Sequence, residues 1–395
     1  MATDITNDVQ ITQISGSLSR GGWQCRFIAL NDTDLCDKHQ NVIIQWRPYT
    51  TSGFSDPRLA FKGYVVPIQF SFTHDVSTTE FNAETSDGFL RLGWLQGIGF
   101  ADLGADGRTH YHQFDNVTGA PAQERMTMGR IVRHIMGYYD ELGAPPGTNP
   151  DWVAHTNMVY HPTQNPHGWI TLDGVETEPF DVVTNPDGTM RVDRFIVRET
   201  SNLWSKLREI AHNEFFEIWF DKTDKMHYAK HPMYQTTLPL PVMTFDEEFS
   251  IIPPTVTVRD TQQVRQVNIY AVTDEGDTYT PDDEGTCYPA SPTHVYGNVI
   301  DINHVRCNDA NTAIDWAERR YKYENRPYTV KWTAPGLCGL YFDILDRVQV
   351  TYTGTSANGV HIDWEEEKFW VHDIIVTPDA SGGGTTQFTL EAENL

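Results

Sequence analysis

The sequence predicts a β-rich α+β protein in which two related antiparallel β-domains, of barrel or sandwich type, flank a mixed α+β middle region. Three observations carry this reading. Segments near both ends alternate polar and apolar residues and favour β-branched and aromatic side chains. The two ends repeat one another in order. Between them, apolar residues recur at helical spacing.

Residues 1–95 form the first β-domain. "VQITQISGSLS", "WQCRFIAL", "NVIIQWRPYT" and "LAFKGYVVPIQFSF" read as strands, with Gly, Asn and Asp between them. "TTEFNAETSDG" adds a last strand and a turn.

Residues 96–257 form the middle domain. "ERMTMGRIVRHIMGYYDELGAPPG" puts Met128, Ile131, Val132, Ile135, Met136, Tyr139 and Leu142 on one stripe, predicting a helix near 124–142. Gly143, Pro145 and Pro146 end it. Residues 144–190, rich in Pro, Gly, Asn and His, read as a long loop region with short strands. A helix near 201–212 turns Leu203, Trp204, Leu207, Ile210 and Ala211 inward. "FFEIWFDKTDKMHYA" follows as a hairpin over 215–229, with polar "DKTD" at its turn. The Pro-rich "LPLPVMTFDEEFSIIPPT" leads out of the domain.

Residues 258–395 form the second β-domain. After the strand "VRQVNIYA", an acidic excursion over 272–308 has the composition of a solvated or partner-ordered loop. A helix near 309–325 begins at a capping Asn or Asp and ends before Pro327. "YTVKWTA", "DRVQVTYTG", "EKFWVHDIIVTPD" and "TTQFTLEAE" complete the domain as strands. Laid together, "NVIIQWRPYTTSG" matches "RVQVTYTGTSANG", "FKGYVVP" matches "FWVHDIIV", and "TTEFNAET" matches "TTQFTLEA". The separation between copies is constant to within a residue or two. A shared order at a shared separation predicts a duplicated β-domain.

Composition narrows the function. The net charge is −25, from 54 acidic against 29 basic residues, which opposes nucleic-acid binding through the phosphate backbone. It suits a surface past which DNA slides without adhering. The N-terminal stretch has neither the basic nor the apolar region of a signal peptide, and no apolar run reaches the roughly 20 residues of a membrane helix. The expectation is a protein made in a cytoplasm, with no membrane insertion. Five cysteines, Cys25, Cys36, Cys287, Cys307 and Cys338, are widely spaced without a C-x-x-C pair. They are expected to be reduced and partly buried.

The chemistry-bearing residues do not assemble into a motif. "SKLREIAHNEFFEIWFDKTDKMHYAKHP" sets His212, His227 and His231 among Glu209, Glu214 and Glu217, which raises a metal or acid–base site. Zinc needs three or four converging ligands, and this spacing does not make them converge. A helix running into a hairpin, with His212 at the helix C-terminus, is the preferred reading. "DEGDTYTPDDEG" lacks calcium-loop spacing. "WEEEKFW" reads as an exposed strand face or a turn. His110 and His112 in "HYHQ" are two ligands, short of a site. "GIGFADLG" has no βαβ context, and no phosphate loop or G-x-S-x-G occurs. The enzyme reading that survives is a carbohydrate-active or carbohydrate-binding protein, with Trp and Tyr stacking on sugars and paired carboxylates for hydrolysis. It rests on composition alone, since no two carboxylates stand out. The sequence thus predicts no catalytic, cofactor-binding or metal-binding residue.

Two β-domains around an α+β insertion resemble the baseplate hub proteins of contractile-tailed phages and the related tail-tip hubs. "TSNLWSKLREIAHNEFFEIWFDKTDKMHYA" is similar to that family's short helix and polar hairpin. "APGLCGLYFDILDRVQVTYTG" and "FWVHDIIVTPDASGGGTTQFTLEAE" resemble its late segments. The stretches at 144–190 and near 280 depart from the pattern. The resemblance implies a non-enzymatic homotrimer whose two tube-like domains per subunit make a pseudo-sixfold ring. Such a ring joins a hexameric tail tube protein to a central spike protein and lets DNA or the tape-measure protein pass. It implies further contacts with baseplate wedge or sheath proteins, in a virion or a phage-derived injection machine, and no cofactor.

Overall fold

The computed structural model describes residues 9–30, 40–50, 53–72, 77–92, 94–95, 112–115, 156–157, 194–197, 201–213, 216–224, 226–231, 238–258, 264–272, 278–279, 287–291, 297–306, 310–326, 328–355, 359, 361–379 and 382–393. Strands of four or more residues begin with β1 (Val9–Ser17), β2 (Gly22–Leu30), β3 (Asn41–Trp46), β4 (Arg58–Phe72) and β5 (Ser77–Glu84). Then come β6 (His112–Asp115), β7 (Arg194–Val197), β8 (Phe216–Phe220), β9 (Met226–Lys230), β10 (Thr255–Val258), β11 (Val264–Val272) and β12 (Asn298–Arg306). The chain closes with β13 (Tyr328–Pro335), β14 (Arg347–Thr355), β15 (His361–Pro378) and β16 (Gly384–Ala392). The helices are α1 (Asp87–Leu92), α2 (Leu203–Asn213) and α3 (Ala310–Glu324).

One 11-stranded sheet runs through both ends of the chain. At one end the order is β1-β2-β5-β4-β3, and at the other it is β10-β13-β16-β15-β14. Neighbours within each run pair antiparallel. Registers correspond as well. Phe81 stands opposite Phe27 and Ile68, and Phe388 opposite Trp332 and Ile374. The β4–β5 ladder skips between Val65 and Ile68, where Pro67 has no N–H to give, and the β15–β16 ladder skips between Val371 and Asp373.

The runs join on β15. One side of this strand pairs with β14 up to Trp370, and β1 takes that side over from Asp373 to Val376. A single core follows. It packs Trp23, Phe27, Phe61 and Phe81 of the first run with Trp332, Phe369, Phe388 and Leu390 of the second. A strap, residues 238–258, spans the second run from edge to edge. Its Thr244–Phe245 pairs parallel with β14, and its end, β10, pairs with β13. Between these points Asp246 Oδ1 accepts from Phe249 N–H at 3.0 Å, and Trp332 Nε1–H donates to Phe249 O at 2.9 Å. Phe245 fills the closed space, its ring against Phe249, Trp332, Phe342 and Phe388.

β11 and β12 pair in parallel in a separate four-stranded sheet, completed by short strands at Thr278–Tyr279 and Cys287–Tyr288. Helix α3 packs on β11, and Asn325 ties its end to Val264 through both amide atoms. The sequence reads 258–395 as one domain, whereas β11 and β12 belong to a sheet separate from the large one. The return leg of the acidic excursion is strand, because Val299, Ile300 and Ile302 give Asn298–Arg306 a β pattern that the acids before it mask.

Helix α2 and the hairpin β8–β9 lie where the sequence expects them, and α3 agrees to within a residue at each end. In the middle region β6 pairs with β7. The predicted helix near 124–142 and nearly all of 144–190 fall outside the described residues. No helix among the described residues is long and apolar enough to cross a membrane. Cys25 is buried and free, while Cys287 and Cys338 are half-buried and free; Cys36 and Cys307 lie outside the described residues.

Replacing Phe245 with Ala leaves a cavity at the strap's anchor, with an expected cost of about 3–5 kcal/mol. A lower urea midpoint with an unchanged denaturant slope checks this.

Candidate functional site

The stretch the sequence singles out divides into α2 and the hairpin β8–β9. Asn202 Oδ1 accepts from Ser205 N–H at 3.1 Å and caps the helix. Trp204, Leu207 and Ala211 are buried as predicted. The side chains of Leu203, Glu209, Ile210 and His212, and all of Glu214, lie outside the described residues. Trp204 covers Gly21, which has φ +86° and no room for a side chain, since a Cβ there would meet the indole at 2.2 Å.

At the hairpin tip, Asp221 Oδ1 accepts from Thr223 N–H at 2.8 Å and from Thr223 Oγ1–H at 2.6 Å, an Asx turn. Asp224 completes the turn at φ +65°, a conformation aspartate tolerates better than most residues. Asp221 Oδ2 lies 2.9 Å from His227 Nε2, and the His227 ring stacks on Trp219. His227 thus belongs to the turn.

The tip also reaches into both β-runs. Toward the first, Lys222 O accepts from Lys62 N–H at 2.9 Å. Ser86 donates its N–H to Asp224 Oδ1 at 2.6 Å and its hydroxyl to Asp224 Oδ2 at 2.8 Å. Toward the second, Lys222 Nζ donates to Leu340 O at 2.8 Å and Phe342 O at 3.2 Å. Asp343 Oδ1 accepts from Trp23 Nε1–H at 3.0 Å, a direct link between runs, and Oδ2 accepts from Lys222 N–H at 3.5 Å. One four-residue turn therefore touches both halves of the large sheet.

The electrostatics are those of desolvated carboxyls. Burial pushes Asp224 up to about 8, against the Ser86 hydrogen bonds and Lys62. Burial and the Asp221 charge push Asp343 up to about 7. Burial raises Asp87 to about 6, though Arg91, Thr85 and Arg20 oppose it. His231 is buried edge-on to Tyr323 and Trp370. Burial, followed by the charges of Arg326 and His372, drives its pKa well down, so it is neutral. Glu217 accepts from Tyr323 Oη–H at 3.4 Å and is raised by burial.

His227 and His231, four residues apart, therefore go to different neighbours. Among the described residues, no three His, Cys, Asp or Glu side chains are placed to hold a metal ion. His112 opens β6, while His110 lies outside the described residues, as do Gly97–Gly104 and most of the acidic run 274–285. In "WEEEKFW", Trp364, Phe369 and Trp370 are buried and Glu365 and Glu366 exposed. Glu366 sits at φ +59° in a bulge against β14, so the run is strand face and turn together.

A second feature is surface. The strap exposes Leu240 at 87%, Ile252 at 55%, Val242 at 54% and Ile251 at 50%, beside exposed Asp246, Glu247 and Glu248. The strap thus leaves large aliphatic side chains exposed toward both of its ends.

No family model matches the chain, and no curated protein matches it in sequence. Solved structures do match in fold. A tail protein from Neisseria meningitidis aligns at TM-score 0.58 and 11% identity, over 97% of this chain and 92% of that one. The 43 kDa tail protein of prophage MuSo2 from Shewanella oneidensis aligns at 0.56 and 11%, over 98% and 97%. The fold is that of a tail protein. A prophage tail protein from Listeria monocytogenes shares this tail-protein fold at TM-score 0.50 and 9% identity, over 98% and 89%. At such identities the fold is common and individual residues are not.

Lys222, Asp224, Ser86 and Asp343 are the residues sequence reading missed. Asp-x-Thr marks the turn, but nothing local marks partners 138 and 121 residues away.

Carboxyls raised in the folded state favour folding fully below their unfolded pKa near 4, and this contribution is lost as pH rises through their folded values. The chain is therefore expected to lose stability to urea between pH 5 and 8.5. Asp224→Asn should flatten that slope by at most one proton's worth. Asp224→Ala, which removes the carboxyl that takes Ser86 N–H and Ser86 Oγ–H and puts alanine at a left-handed position, should cost roughly 2–4 kcal/mol.

Proposed function

We propose that this protein is a structural hub at the distal end of a phage-type tail. It is made in the bacterial host cytoplasm and built into the virion or a related injection machine. Three copies form a ring, and each contributes two copies of one β-domain, so the ring is pseudo-sixfold. One side seats the hexameric tail tube protein and the other presents threefold symmetry to a central spike. Tape-measure, wedge and sheath proteins are further partners.

The observation that carries this reading is the recurrence of one strand order, β1-β2-β5-β4-β3 and β10-β13-β16-β15-β14, with matching registers and matching ladder skips. A unit repeated within a chain offers equivalent contacts twice per copy, which is what a threefold assembly needs to meet a sixfold one. The exposed strap residues supply apolar surface for a subunit or tail partner. A net charge of −25 gives passing DNA little to adhere to. The tail-protein fold is consistent with all of this.

The protein acts by assembly, not by catalysis. The carboxyls at the hairpin tip accept hydrogen bonds from Ser86, Trp23 and Lys222 and hold the fold together. Among the described residues, Trp23, Trp332 and Trp370 are almost fully buried and present no ring to a sugar.

Sizing with light scattering is expected to give three times the chain mass, and averaged electron micrographs should show rings. Incubation with cell-wall glycans should release no reducing sugar, with or without chelator. A monomer that releases sugar would overturn the proposal.

A further inference from the structure

We propose that β10 of one copy adds as an antiparallel strand to the open edge of β4 in the next copy, in the register that β1 takes on β15 within the chain. The inference rests on the ring reading above and names its subunit contact.

Within the chain, β1 meets β15 as Ile14↔Val376, Ser15↔Ile375 and Gly16↔Ile374. Each participant has a counterpart. Val376 and Ile374 face Thr386 and Phe388 of β16, as Phe70 and Ile68 face Thr79 and Phe81 of β5. Ile14 faces Cys25 of β2, as Val256 faces Val330 of β13; Cys25 and Val330 in turn face Ala83 and Leu390. Carrying the intrachain register across gives Val256↔Phe70, Thr257↔Gln69 and Val258↔Ile68.

Both strands have that side open among the described residues. The β3–β4 ladder ends at Asn41↔Tyr64, so beyond Val65 strand β4 pairs only with β5 on its far side. β10 pairs only with β13. The polarity agrees as well. Leu18 N–H donates to His372 O at 3.0 Å in the same register as the β1–β15 pairs. By antiparallel alternation, Ile14, Gly16, Ile374 and Val376 turn their backbone groups toward the shared ladder. Val256, Val258, Ile68 and Phe70 then point theirs at the open edges. Pro67 corresponds to Asp373, whose groups face the other way. Its missing N–H falls on the β5 side, where the ladder already skips, and does not block the edge.

The occupant is a second copy because the chain carries both halves of the contact. Adding β10 to β4 head-to-tail alternates with the intrachain β1–β15 contact, and a heterologous contact closes into a ring when its rotation does, as the ring reading requires. A strand from an unrelated partner would leave β10 open.

The test uses the full chain. Residues 257 and 69 form a non-hydrogen-bonded pair, whose Cβ atoms lie close enough for a disulfide. Under mild oxidation, Thr257→Cys/Gln69→Cys should give covalent dimers and trimers on non-reducing gels. The wild type, either single variant and Thr257→Cys/Gln45→Cys should not. Val258→Pro removes an outward N–H that no described residue of the same copy accepts, so it should melt like the unassembled wild type and run as a monomer. Trimers without the cross-link, together with a trimeric Val258→Pro, overturn the strand addition and leave the ring intact. A wild type that stays monomeric at every concentration, with a Thr257→Cys/Gln69→Cys variant that does not cross-link, overturns both.

Discussion

The Lys222 ammonium, held between the Leu340 and Phe342 carbonyls beside Asp343, ties a hairpin tip to the second β-run while Asp224 ties it to the first. Hydrophobic burial is non-directional, and an apolar seam between two twisted β-runs tolerates small rotations. A desolvated polar cluster does not, because each donor and acceptor left unpaired costs about 1–3 kcal/mol. Only four residue pairs join β1 to β15. The tip therefore does much to fix the angle between the runs. Burying its carboxyls is unfavourable, as their raised pKa values show. Their contribution is to choose one arrangement more than to deepen its stability.

How far the sequence could be read follows from the range of the interactions. Leu203–Asn213 and Ala310–Glu324 are helices for local reasons, an inward-facing stripe in the first and a capping residue with a following proline in the second, and both lie where those signals predict. The hairpin turns at Asp221–Asp224 because Asp-x-Thr closes an Asx turn over two residues. Strand existence was legible from alternation, and both ends do form antiparallel strands of one order. The tip's partners were not, since Ser86 and Asp343 are set by tertiary packing that leaves no mark beside Lys222. Nor was the separate sheet of residues 264–326. Its parallel β11–β12 pair is joined across an acidic segment, and parallel pairing has no short-range turn to announce it.

Composition proved ambiguous in one instructive way. A chain with 11 Trp, 17 Tyr and 19 Phe supports either sugar platforms or large cores. Burial separates the two. Phe245 packs against four other rings with no exposed surface, and among the described residues only Tyr341 of the exposed large hydrophobics is aromatic. What remains on the strap is aliphatic, and aliphatic ridges suit protein partners better than sugar rings.

A repeated unit in one chain makes its two kinds of junction unequal, and that inequality matters for assembly. The junction inside the chain has the hairpin tip, with buried charges and a covalent tether. On the proposed reading, the junction between copies has neither, and must be made by strand pairing and surface burial. The strap leads directly into β10, and its exposed Ile251 and Ile252 stand at the start of that strand. Apolar side chains flanking an open edge are a liability in a monomer and an asset in a ring, because the same event that completes the ladder covers them. One junction is therefore set during folding and the other during association. On the proposed reading, a threefold object with sixfold appearance requires no more of the chain than two β-runs of one strand order, joined internally by polar specificity and externally by an edge.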